Sequence, residues 1–178
     1  MRRISRVLSL AVLLIVCPVL AQAQQDSANE GAIRGSLSEL RDKRRILLMV
    51  RRSEVVDASG QSKTILSEAY QPSTEPRGRF ARIYNVLAQK LNKYMVKFQS
   101  ISAARNISEA EFIVFFNLLE YRRPLGRPYP YGELFVILND RAQGHEPRII
   151  WKTRKSPIWA EDAVNEFIRD LKAARGEG

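Results

Sequence analysis

Three short apolar runs, residues 112–119, 134–138 and 149–153, follow one another between Glu111 and Lys155, separated by polar, turn-rich connections. Runs of this length that are apolar at both parities predict strands covered on both faces. In 112–119 only Asn117 interrupts the pattern, which places that strand at the centre of a sheet. Its amide is then either satisfied inside the core or part of a pocket. Ile149, Trp151 and Thr153 alternate against Arg148, Ile150, Lys152 and Arg154, a mostly polar face that predicts a position toward the sheet edge. Residues 46–50, set between two arginine pairs, predict one more buried strand. Residues 64–70 read as a shorter one after a turn over 57–61.

The period then changes. Phe80, Ile83, Tyr84, Leu87, Leu91, Tyr94, Met95 and Phe98 recur at steps of three and four and predict a helix over 77–99. Arg79, Arg82, Lys90, Lys93 and Lys97 give it a basic face. The aromatic-rich stripe also suits a ligand groove or a membrane interface, but helical spacing makes it core. Trp159, Ala160, Ala163, Val164, Phe167, Ile168 and Leu171 trace a closing helix over 159–174, with Ser156 and Pro157 as its cap and first residue. The expected architecture is α+β: a mixed, mainly antiparallel sheet of about five strands, with the two main helices packed on one face. The long helix makes one crossover, and the last three strands form an antiparallel meander.

The connections differ in character. Residues 102–109 form a polar bridge, in which Asn106, Ile107 and Ser108 match a glycosylation sequon or are an ordinary loop. Residues 121–132 hold three prolines, two glycines, three arginines and three tyrosines, which predicts an irregular loop with no regular element. Arginine pairs phosphate or carboxylate with its planar fork and stacks on flat rings. Arg122, Arg123, Arg127, Tyr129 and Tyr131 are therefore the candidate contact residues. The alternative is a rigid connector whose tyrosines pack on the sheet.

Residues 1–23 read as a signal peptide: Arg2, Arg3 and Arg6 precede an apolar run, and Ala21 and Ala23 offer a cleavage site. The run is shorter than the roughly 20 residues of a membrane span and contains Pro18, so stable anchoring is not expected once the signal is cleaved. Lipidation at Cys17 is the alternative, although Val16 and Pro18 do not fit a lipobox. The chain is thus expected to be exported, periplasmic or secreted. Residues 24–43 read as a flexible lead with a capping box at Ser36 and Glu39, and residues 44–175 as a single domain. Beyond Cys17 the sequence has no cysteine, hence no disulfide.

Charge narrows the partners. The chain carries 29 basic and 19 acidic residues, net +10. Three of the basic residues lie in the signal, so the remainder is +7. Such a balance favours anionic envelope components (lipid headgroups or wall polymers) or an acidic protein partner, with a plain basic surface as the alternative. Nucleic acid is the second alternative, and it requires aromatic and basic residues of 121–131 on one exposed strip.

Catalytic chemistry has little to stand on. His145 is the single histidine and sits in a turn, so no metal site, cofactor or catalytic group is assigned. Glu68, Glu120, Glu133 and Asp140 fall at predicted strand ends, where two could converge for a small carboxylate-dependent periplasmic hydrolase. The reading preferred to that alternative is a non-catalytic binding or assembly module.

The C-terminal half, residues 107–175, resembles a group of small exported bacterial proteins and lipoproteins of unknown function. The resemblance rests on Gly132, Leu134, Val136 and Asp140 in one strand and Trp151 in the next. It implies an α+β envelope domain with no established activity, and the missing lipobox sets this chain apart from the lipoprotein members.

Overall fold

The computed structural model describes residues 33–52, 61–71 and 79–178. The signal peptide with Cys17, the first part of the lead, most of the 57–61 turn and the loop 72–78 lie outside the described residues.

The fold is α+β. Strands β1 (Arg45–Arg51), β2 (Ser102–Ala103), β3 (Phe112–Arg122), β4 (Tyr129–Leu138) and β5 (Arg148–Lys152) form a mixed sheet in the order β2-β1-β3-β4-β5, and β6 (Ile158–Trp159) also pairs with β4. β1 runs parallel to β2 and β3, while β3, β4 and β5 form the antiparallel meander. Parallel neighbours need a crossover. Here it contains α1 (Gln61–Ala69) and α2 (Arg79–Phe98), and α3 (Ala160–Arg175) closes the chain.

β3 shows why the runs were apolar at both parities. Phe112, Val114, Phe116 and Leu118 join the core beneath α2 and α3, whereas Ile113 and Phe115 join a second core beneath α1. The two main helices thus pack on one face, as the pattern predicts. Ile83, Leu87, Leu91 and Tyr94 of α2 meet Ala163, Val164, Phe167 and Leu171 of α3 in the larger core.

Four local expectations are corrected. Residues 64–70 are not a strand: α1 runs through them, burying Ile65 and Ala69 at i, i+4 spacing against Phe115, Phe135 and Ile137. The polar bridge 102–109 contains β2, whose two residues pair with Arg45 and Ile46. Ser156 and Pro157 do not open the last helix, because Ile158 and Trp159 first pair with Gly132 and Tyr131, and the helix begins at Ala160. In β5 the expected alternation breaks at an irregularity opposite Val136 and Ile137. Ile149 enters the α1-side core, while Ile150 and Trp151 both pack on the other side.

The lead also differs from expectation. Ser36 and Glu39 form the capping box, but Leu37 and Leu40 of its 3₁₀ turn are buried in the larger core. Arg34 donates its backbone N–H to the Ile149 carbonyl, and Arg148 pairs with Glu39. Residues 34–43 are packed against the sheet.

Candidate functional site

The stretch 121–132 is mostly strand, contrary to the irregular loop expected. β3 continues through Arg122 and β4 begins at Tyr129, so Tyr121 pairs with Pro130 and Arg122 with Tyr129. Only residues 123–128 connect them, around a 3₁₀ turn at Pro124–Gly126. Proline survives here because the sheet is narrowing: β4 gains its outer neighbour β6 only from Tyr131 onward. An irregularity between Leu118 and Glu120 resets the pairing just below the tip.

The five candidate residues divide into two groups. Arg122 turns back on its own hairpin, with Nε 2.6 Å from Glu120 Oε1 and its guanidinium carbon 3.6 Å from the centre of the Tyr131 ring. Its hydrogen bond to Glu120 holds the guanidinium still more firmly protonated. Tyr131 in turn meets Trp159 edge-on, 4.9 Å between centroids. Arg122 and Tyr131 are therefore engaged with the protein itself. Arg123, Arg127 and Tyr129 instead border a cleft of about 1460 Å³ under the hairpin tip.

Residues from other parts of the chain complete the cleft. Arg82, Ile83 and Val86 of α2 form one wall, and Trp159 with Ala160, Glu161 and Asp162 at the start of α3 forms another. Tyr121, Pro128 and Pro130 add apolar surface. Tyr129 is 45% exposed and meets Trp159 edge-on at 5.9 Å, which leaves part of its ring open to a ligand. Arg82, Arg123 and Arg127 are exposed, and among the described residues none makes a side-chain hydrogen bond or ion pair. Glu161 is engaged by Lys90 at 2.7 Å. The arrangement offers free guanidinium groups beside aromatic rings, suited to an anion carried on an apolar or flat body.

The four carboxylates of the hydrolase alternative do not meet in this cleft. Glu120 pairs with Arg122, and Glu133 accepts a hydrogen bond from the Ser156 hydroxyl. Asp140 pairs with Lys43 at 2.9 Å, beyond the far end of β4, and Glu68 lies on α1. His145 is exposed in the turn after the 3₁₀ segment Arg141–Gln143. Among the described residues no group of three or more His, Cys, Asp or Glu side chains is placed to hold a metal ion. No helix among them is long and apolar enough to cross a membrane.

No protein-family model matches the chain, and neither a curated protein nor a solved structure does so. The cleft must be read from its own chemistry.

Arg82, Tyr121 and Trp159 are the members that the sequence pattern did not single out. Arg82 looked like one more cation on a polar helix face, and Trp159 like the first residue of a buried stripe. Both are recruited by packing: α2 and α3 lie side by side beneath the hairpin, and β6 holds Trp159 against β4.

Proposed function

We propose that this protein is a non-catalytic exported binding or assembly module that holds anionic material of the bacterial envelope at the cleft under the β3–β4 hairpin. The observation that carries the reading is the trio Arg82, Arg123 and Arg127, free of ion pairs among the described residues and set around Tyr129 and Trp159. Guanidinium groups pre-placed without carboxylate partners lose no internal ion pair when an external anion arrives. The leader read from residues 1–23 and the net charge of +7 on the remaining sequence support the compartment and the sign of the partner.

Retention of the purified protein, lacking residues 1–23, on envelope fractions tests the proposal. Binding should weaken steadily with added salt, since screening shortens the reach of exposed charges to about 8 Å at physiological ionic strength. The double variant Arg123→Gln, Arg127→Gln should bind less at every salt concentration. Retention that ignores both salt and the double substitution would overturn the reading.

A further inference from the structure

α2 contains five cations and no carboxylate in its 20 residues. Their placement is one-sided. At 3.6 residues per turn Arg82, Lys90, Lys93 and Lys97 fall within an arc of about 80°, whereas Asn85, Gln89, Asn92 and Val96 share an adjoining arc of about 60°. The exposed half of the helix is thus split lengthwise into a cationic flank and a neutral one.

The cationic flank faces the seam with α3. Lys90 reaches Glu161 in the first turn of α3, and Lys97 and Lys172 both reach the Phe98 ring, at 5.0 and 4.9 Å from its centre. Arg82 meets the start of α3 at the cleft, while Tyr94 bonds Glu177 just beyond its end. The two helices therefore run side by side in the same direction, and the cations line their seam for about 22 Å from Arg82 to Lys97. Lys97 and Lys172 have no carboxylate partner among the described residues. Sharing one ring, they stand no more than about 10 Å apart, close to the screening length of about 8 Å at physiological salt, so each raises the cost of the other until an anion neutralises them.

We propose that the α2–α3 seam and the cleft form one track for a flexible linear polyanion that carries a phosphate in every short repeat and no bases; this rests on the proposed anion site in the cleft. A membrane surface fits less well. Ile83, Leu87, Leu91 and Tyr94 of α2 are buried in the core, Phe80, Tyr84, Met95 and Phe98 pack against it partly buried, and Val96, 67% exposed, is on the neutral flank. A nucleic acid fits less well too, because successive bases need successive stacking rings. Along the seam the ring of Phe98 is already approached by two ammonium groups, and the open aromatic surface is confined to the cleft end.

Inorganic polyphosphate of defined length, titrated into the protein at fixed ionic strength, tests the track. Affinity should climb with chain length until the polymer spans seam and cleft. The triple variant Lys93→Gln, Lys97→Gln, Lys172→Gln should lose about tenfold or more in affinity for long chains, with a shallower salt dependence, and bind tripolyphosphate as the parent does. Restoring charge with arginine at the three positions should restore long-chain binding. Unchanged long-chain affinity in the triple Gln variant would sink the track, while a loss in Arg123→Gln, Arg127→Gln would still uphold the cleft. Preference for anionic phosphatidylglycerol vesicles over polyphosphate, or tighter binding of oligothymidylate of equal charge, would also overturn the base-free polymer.

Discussion

Arg175 Nη1 donates to the backbone carbonyl oxygen of Lys43 at 3.0 Å, tying the last turn of α3 to the segment that leads into β1. The same guanidinium reaches the carbonyls of Leu40 and Ser100 and, through Nε, Glu177 Oε1 at 3.1 Å. With its side chain only 7% exposed, Arg175 supplies donors to the Lys43 and Ser100 carbonyls, in two connecting segments outside the ladders, and a second donor to the Leu40 carbonyl, which already accepts the Lys43 N–H. Arg175→Met keeps the bulk but strands the Lys43 and Ser100 oxygens, and should cost about 3 kcal/mol of unfolding free energy by urea titration. Arg175→Lys should recover only part of it, because one ammonium cannot span the same fork.

Glu177 sets a pH dependence on that junction. Burial alone would raise its carboxyl, but hydrogen bonds from Tyr94 and Arg175 and the charge of Arg175 outweigh it and hold the group below the usual carboxylate range. A lowered folded-state pKa contributes stability above the unfolded value of about 4.3 that is lost as pH falls through the folded value. Between about pH 6 and about pH 3 the parent should therefore lose more stability than Glu177→Gln, by denaturant titration at each pH.

Tyr94 has the opposite sign. Burial first, and then its bond to Glu177, push the phenol up to about 12. Its contribution is complete below the unfolded value of about 10 and fades as pH rises toward 12. Tyr94→Phe should remove that alkaline decline, which absorbance at phenolate wavelengths and unfolding midpoints would show together.

Gly132 is required by close approach. A Cβ there would collide with the carbonyl oxygen of Asn117 on β3 and sit 3.1 Å from the Phe116 ring, so neighbouring backbone rather than a flexible side chain must yield. Gly132→Ala should cost about 2 kcal/mol or more and disturb the register of Leu118 with residue 132. Amide exchange across β3 and β4 is the measurement, and an unshifted pattern would contradict the argument.

Asn139 fastens the α1 side of the sheet. Its Nδ2 donates to the carbonyls of Ile107 and Ala110 at 2.9 and 2.6 Å, and its Oδ1 accepts from the Tyr70 hydroxyl at 2.6 Å. Asn139→Ala should destabilise the protein by about 2 kcal/mol. Exchange should rise first at residues 104–110 and at the end of α1.

Tyr129 separates binding from folding. Because Tyr129 is the most open ring of the cleft, Tyr129→Ala should shift stability by no more than about 0.5 kcal/mol while reducing retention on envelope fractions. A large stability loss would make the ring a structural plug instead.

Much of the fold was legible because periodicity reports burial directly. The two-sided apolar run of β3 and the stripe of α2 each named their own core contacts. α1 escapes the pattern because a nine-residue element with Ile65, Leu66 and Ala69 satisfies a short strand as readily as a helix. The helical spacing of Ile65 with Ala69 was the available signal. β2 had none, since two residues carry no period.

At the site, composition picked out the arginines and tyrosines of residues 121–132 but could not sort them. Arg122 and Tyr131 stack on one another, whereas Arg123, Arg127 and Tyr129 open onto the cleft. The difference lies in strand pairing and in where β6 and α2 come to rest.

Local chemistry, then, was enough for what depends on neighbours in the chain: strand and helix character, the capping box at Ser36 and Glu39, the basic flank of α2 and the absence of thiol chemistry after Cys17. Only tertiary structure decided which cations remain without carboxylates. Lys43, Lys90, Arg122 and Arg148 find Asp140, Glu161, Glu120 and Glu39, while Arg82, Arg123 and Arg127 converge on one cleft. Ion pairing acts over a few ångströms of space, and most of those pairs join residues far apart in the chain.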